Sequence, residues 1–448
     1  MNLVSHLAPR RLAVAATVVA LIIAAAVTNP GTAGAATSEG LLCDTDAHQT
    51  FSLTAQDGFM STPDGNSIYM WSYGNSTRGF QLPGPTLCVT SGQPVTVILH
   101  NTLPEATSIV FPGQKGVKAN GNPAQPQYTT PIPPATTGSL TSMVQGAAAK
   151  TGTATPSVTY TFIAGTPGTY LYESGTDVNK QVQMGMYGAL VVRPSGSTCA
   201  TGATVCHVND RPDSAYSPGH EYVFMLSEVD PDLHLAVERS EPIDWNSFTP
   251  RYFLINGRTM PDTLAPNNAS WLPNQPYGAL VHIRPFNSSS NPLPAVIRYL
   301  NAGTVNYPFH PHGSDERVVN KDGHAMAGPA GEDLSYQKYD LDVQPGQSVD
   351  ALMDWKDVEN WNALTNPIPT QIPAITDQLL VGPDTWFSES PYLGTKNPLP
   401  TNITSNNECG EYYHIAHSHS LIQATNYGAA FGGMMTVFRI DPPLGCQN

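Results

Sequence analysis

The stretch Thr86-Leu87-Cys88-Val89-Thr90-Ser91-Gly92-Gln93-Pro94-Val95-Thr96-Val97-Ile98-Leu99-His100 decides the fold class. It reads as a strand, a glycine-bearing turn and a second strand whose apolar residues alternate. The same signal recurs along the chain. Residues 158–163 alternate, 165–168 turn, and 169–172 and 187–193 extend again. Further strands are expected over 221–226, 252–255, 279–283, 296–300 and 434–440. No stretch carries a long apolar period of 3.6 residues, so helices have little to bury. Short strands separated by turn residues make a β-sandwich or barrel.

Composition agrees. Of 448 residues 12% are charged, while glycine (38) and proline (41) are abundant. Both suit a protein rich in tight turns. Lys plus Arg number 20 against 35 Asp plus Glu, a net charge of −15, which excludes a basic nucleic-acid footprint.

Residues 1–35 are set aside as an export signal. Arg10 and Arg11 precede an apolar run from Leu12 to Val27, and Ala33-Gly34-Ala35 forms a cleavage site. The arginine pair also suits a twin-arginine signal. The expected mature chain is secreted or extracytoplasmic, with no membrane span. In that oxidising setting the six cysteines favour disulfides. Cys199 and Cys206 bracket a short loop and are expected to pair. Cys43–Cys88 and Cys409–Cys446 are the simplest remaining pairs, although spacing alone does not fix connectivity.

The two halves close on similar segments, Gly185 to Val192 and Gly432 to Phe438, and a Pro/Ser/Gly-rich stretch lies between them. This divides the mature chain into a first domain (36–195), a linker (196–220) and a second domain (221–448). Residues 113–155 and 357–410 read as long loops, of a kind that often serves function.

Histidine carries the chemical signal. Five of 13 fall in His310-Pro311-His312 and His414-Ile415-Ala416-His417-Ser418-His419. On a strand, residues i and i+2 face the same way, so an H-x-H pair aims two imidazoles together. Neutral imidazole suits copper, zinc, iron or nickel.

Several stretches resemble the multicopper oxidases, which are built from cupredoxin domains. Pro83 to Leu87 resembles the family's opening strand, and Asn101 to Ile109 the run before its first copper motif. Gly168 to Tyr172 leads into the second motif, Asn306 to Gly313 resembles the third, and Tyr412 to Met435 the fourth. The resemblance implies an all-β protein of two cupredoxin-like Greek-key β-sandwich domains. It implies copper as cofactor, with O₂ or a small reductant as partner.

The copper motifs themselves depart from the family. For H-W-H-G the chain has Val110-Phe111-Pro112-Gly113, and for H-S-H it has Glu173-Ser174-Gly175. In H-P-x-H-x-H-G the leading histidine is Tyr307. For H-C-H-I-x-x-H two registers stand. One aligns Tyr412-Tyr413-His414. The other, which we prefer, aligns His417-Ser418-His419 and puts Ser418 in place of the cysteine. A blue centre needs a thiolate, so neither register supports one.

The candidate metal ligands are therefore His310, His312, His417 and His419, with His414 as a fifth ligand or an orienting partner. Copper is favoured, though imidazoles alone leave zinc or manganese open. Glu173 reads first as a hydrogen-bonded polar residue and second as a carboxylate ligand. Asp315 and Glu316 read first as a surface turn and second as groups that orient a histidine or transfer protons, and Met184, Met186, Met434 and Met435 first as core and second as copper thioethers. The expected function is oxidoreductase-like metal binding. The other reading is a metal-free binding or structural module of the cell envelope, with the histidines as relics. Oligomeric state stays open.

Overall fold

The structure is a computed structural model. It describes residues 39–75, 77–128, 140–196, 199, 203–313, 315–356, 380–382, 385–386, 412–430 and 432–441. The export segment, Cys409, Cys446 and most of 357–410 lie outside the described residues.

The deciding stretch forms strands Leu87–Thr90 and Pro94–Asn101. Val95, Val97 and Leu99 of the second strand point inward, as alternation requires. Strand Thr50–Ser61 is the hub of a six-stranded sheet. It pairs antiparallel with Ser67–Asn75 and parallel with Pro94–Asn101, which in turn pairs with Ser157–Ile163. A three-stranded sheet faces it. There Tyr187–Arg193 pairs antiparallel with Gly168–Glu173 and parallel with Leu87–Thr90.

The second half repeats this plan. Glu221–Val229 pairs antiparallel with Tyr252–Ile255 and parallel with Ala295–Asn301, which pairs with Ser348–Met353. Facing them, Met435–Ile440 pairs antiparallel with Tyr412–Ser418 and parallel with Val281–Ile283. Tyr412–Ser418 also pairs with Tyr307–Pro311. The protein is thus all-β, with two cupredoxin-type sandwiches.

Each sandwich closes on its own core. Phe111, Tyr160, Phe162 and Tyr172 fill the first, and Phe224, Tyr299, Phe309 and Phe438 the second. Met184, Met186 and Met434 are fully buried and Met435 nearly so, in line with a packing role. Disulfides Cys43–Cys88 and Cys199–Cys206 are present. The stretch leading into the second half is packed down, since Cys206, Val208 and Tyr216 bury against Val296, Val319 and Leu352.

A buried ionic network ties the halves together. The Arg298 guanidinium donates to Glu221 (2.8 Å), to Asp350 (3.1 Å) and to the hydroxyl of Thr169 (3.0 Å). Arg193 also donates to Glu221 (2.9 Å). Charges this deep hold only when paired, so removing one partner would strand another. Among the described residues no helix is long and apolar enough to cross a membrane.

Candidate metal centre

Strand pairing brings the two H-x-H segments together. His310 stands directly opposite His417, Phe309 opposite Ser418, and Pro311 opposite Ala416. The ladder continues past both strand ends. The His312 amide donates to the Ile415 carbonyl (2.9 Å), and the His419 amide to the Pro308 carbonyl (2.7 Å). Directly opposed residues share a face, and period two does the rest. Tyr307, Phe309, Ala416 and Ser418 turn inward and are buried. His310, His312, His417 and His419 project from the other face.

The four rings lie close. Centroids are 4.9 Å apart for His310–His312, 5.2 Å for His310–His419 and 5.3 Å for His312–His417. His310–His417 and His417–His419 are each 5.8 Å. His310 Nδ1 meets the Tyr339 carbonyl, and His417 Nδ1 lies 2.8 Å from the Ser418 carbonyl. A proton held on Nδ1 leaves the Nε2 lone pair outward, the arrangement a metal-binding histidine needs. Burial lowers the His417 pKa, partly offset by its backbone hydrogen bond, and the neighbouring histidines lower it further. His417 is therefore neutral at neutral pH.

The Nε2 atoms of His312 and His417 are 3.2 Å apart. Two nitrogens sharing one tetrahedral ion at about 2.0–2.1 Å would stand about 3.3 Å apart. The donor set and this spacing fit an imidazole-bound metal. Nonetheless, among the described residues no three His, Cys, Asp or Glu side chains form a ready metal cage. The 3.2 Å contact serves equally as an N–H···N hydrogen bond.

His414 does not join the four. It lies three residues from His417 and so faces the opposite side of the strand. It is buried at 3% exposure, with the Trp355 ring 6.5 Å away. Gly313 makes room for it, since a Cβ there would come within 2.1 Å of the His414 ring, and the φ of +75° suits glycine.

Ser418 sits between His417 and His419 but faces inward. Its hydroxyl donates to Gln423 Oε1, and Gln423 Nε2 donates to the Asn306 carbonyl (3.1 Å). Counting along H-C-H-I-x-x-H from Ser418, the final histidine falls at Gln423. Tyr307, in place of the leading histidine, donates its hydroxyl to buried Glu228. Three positions of the family's blue centre thus hold a phenol, a hydroxyl and an amide, each spent on a buried hydrogen bond. Sequence reading missed Gln423, although its place in the motif could have found it.

The first half shows the same scaffold without imidazoles. Val110 bridges Glu173 as His310 pairs with His417. The Asn101 side chain donates to the Glu105 carbonyl (2.7 Å), and that of Asn301 to the Val305 carbonyl (2.8 Å), starting matching turns. Ser174 donates to Gln181 (2.7 Å), as Ser418 does to Gln423. Around it Ser108, Ser142 and Thr176 share a ring of hydroxyl contacts between 2.7 and 3.1 Å. Glu173 is half-buried, and desolvation raises its pKa. Its backbone is paired with Val110.

The surface-turn reading of Asp315 and Glu316 is half corrected. Asp315 is exposed, but Glu316 is fully buried and accepts from the Tyr299 hydroxyl at 2.9 and 3.1 Å. Burial lifts its pKa to about 8 despite that hydrogen bond.

Comparisons with known proteins agree with this fold. Residues 77–197 match the family model described as multicopper oxidase. The blue copper oxidase from Nitrosomonas europaea is 17% identical at a TM-score of 0.52, covering 87% of this chain and 85% of that one. The multicopper oxidase mgLAC is 18% identical at 0.52, with the same coverage. At such identities the likeness is one of fold. No curated protein matches the sequence. Copper is named in the descriptions of the family model and of both structures, and zinc and manganese in none of them.

Proposed function

Taking as premise that the chain resembles the multicopper oxidases, in fold along most of its length and by family model over residues 77–197, we propose that it is an exported copper-binding protein with oxidoreductase character. His310, His312, His417 and His419 hold the metal through Nε2. The observation that carries this reading is the pairing of two H-x-H segments on neighbouring strands, which sets four imidazoles on one face. Residues 36–195 and 221–448 serve as the two domains, and residues 1–35 as the export signal.

Copper bound there would supply one-electron chemistry toward O₂ or a small reductant. The chain's own groups set its limits. Ser418, Gln423 and Tyr307 offer no thiolate, so single electrons have no relay through a blue centre. Val110, Pro112 and Glu173 offer no imidazole from the first half. The site therefore works from an open face, and a small reductant that reaches the histidines directly suits it better than a bulky organic donor. Tyr339 fixes the His310 ring through its carbonyl and lies edge-on to it at 5.9 Å.

The direct His312–His417 contact favours a second reading, a metal-free module in which the rings bond to one another. Elemental analysis after copper loading separates the two. Stoichiometric copper in the full chain, lost in His310→Ala and His417→Ala, supports the first reading. A loaded chain without copper sinks it.

A further inference from the structure

Helix Pro231–Glu238 lies between two clefts far in sequence from the histidines. Asp230 caps it by accepting from the Asp232 amide (3.0 Å), and Pro231 occupies its first turn. The first cleft encloses about 520 Å³ and is lined by half-buried Tyr69 and exposed Tyr427, with fully buried Tyr252 behind them. Tyr252 and Tyr427 meet edge to face, 5.3 Å between centroids. Three carboxylates, Asp64, Asp232 and Glu238, line the same space. None of the three has an ion-pair partner among the described residues. No lysine or histidine lines the cleft. The Arg251 guanidinium lies over the Tyr427 ring at 5.7 Å.

The second cleft, of about 410 Å³, shares Tyr69 and Glu238 with the first, so the two adjoin. It adds Trp71, Trp245 and Glu241. Here the protein supplies its own ligand. The Lys180 ammonium sits 5.6 Å from the centre of the Trp71 ring, with Glu105 at 2.5 Å and Asp177 at 3.3 Å. An ammonium over an aromatic face, clasped by carboxylates, is the arrangement that cation–π attraction and charge pairing favour together. The first cleft also brings aromatic rings and carboxylates together, and no lysine ammonium lines it. Asp64 is held ready. Burial works against its charge, but hydrogen bonds from Thr62 and from the Tyr252 hydroxyl (2.7 Å) outweigh this and keep it ionised.

We propose that this groove binds a small linear organic di- or polyamine, one ammonium seated between Tyr69 and Tyr427 against Asp64, Asp232 and Glu238. The alkyl chain runs past Tyr69 toward Glu241. The groove shares no residue with the histidine face, so the proposal stands or falls independently of copper.

Titration calorimetry of the full chain with spermidine tests this at about 0.1 M salt, where diffuse surface attraction is screened. The expected result is saturable binding of one equivalent. It should weaken at least tenfold in the double variant Asp232→Asn/Glu238→Gln and in Tyr427→Ala, all at exposed positions. The exposed pair Glu332→Gln/Asp333→Asn, outside the groove, should leave it unchanged. Absence of saturable binding overturns the proposal. So does equal weakening by the control pair, or binding of neutral 1,8-octanediol as tight as that of spermidine.

Discussion

His310 and His417 face each other across one antiparallel pair, 5.8 Å between ring centroids, with Phe309 and Ser418 facing each other on the reverse side. The sheet thus separates two chemistries. Imidazoles stand on the outer surface, and a hydrogen-bonded core lies beneath.

His414 lies on the inner side, so His414→Ala should leave bound copper unchanged, as elemental analysis will read. Losing a buried ring should cost about 1–3 kcal/mol in denaturant unfolding. Gly313→Ala should behave likewise, because its Cβ collides with the same ring.

Restoring the missing cysteine alone should not make a blue centre. Ser418→Cys would place a thiol beside Gln423 and below Tyr307, neither of which supplies an imidazole. The copper-loaded variant should stay without an intense visible thiolate–copper band. An intense blue colour from this single change would show that other ligands reach Ser418.

Two histidines, buried His234 and half-buried His282, should bend stability with pH in opposite senses. Burial lowers the His234 pKa to about 4, although its bond to the Tyr69 carbonyl resists this. Its contribution is present above the unfolded value of about 6.5 and is lost as pH falls toward 4. Burial also acts against the charge on His282, but Asp441 and Glu39 outweigh it and raise that pKa to about 9. Its contribution is present below about 6.5 and is lost as pH rises toward 9. Each amounts to on the order of 3 kcal/mol. Urea midpoints between pH 4 and 9 should fall at both ends, and His282→Gln should flatten the alkaline side alone.

Glu173→Gln should keep its copper and gain stability. Desolvation raises the Glu173 pKa, so the ionised form costs stability above the usual carboxylate range. The gain should appear at pH 7 and vanish at pH 4. Lost copper in this variant would return Glu173 to the ligand set.

Much of this was legible in the chain itself. Alternation at Val95, Val97 and Leu99 gave the strands, and the H-x-H spacing named the four outer imidazoles. Periodicity also held the answer for His414, since an odd separation from His417 sends it to the other face. The inner cluster was harder to read. Ser418, Gln423 and Tyr307 are ordinary polar residues, and only strand pairing makes them neighbours. Glu316 looked like turn chemistry because burial depends on what packs over a residue, here Tyr299. The acidic groove was invisible in advance, since its walls come from segments near residues 64, 69, 232, 252 and 427.

The matching turns at Asn101 and Asn301 have a wider consequence. One backbone plan carries Val110 and Glu173 in one half and His310 and His417 in the other, and each half closes a buried core. Outer-face residues can therefore change identity without disturbing the interior. On such a scaffold chemistry is a removable garment, and descent could strip or restore it one face at a time while the body beneath kept its form.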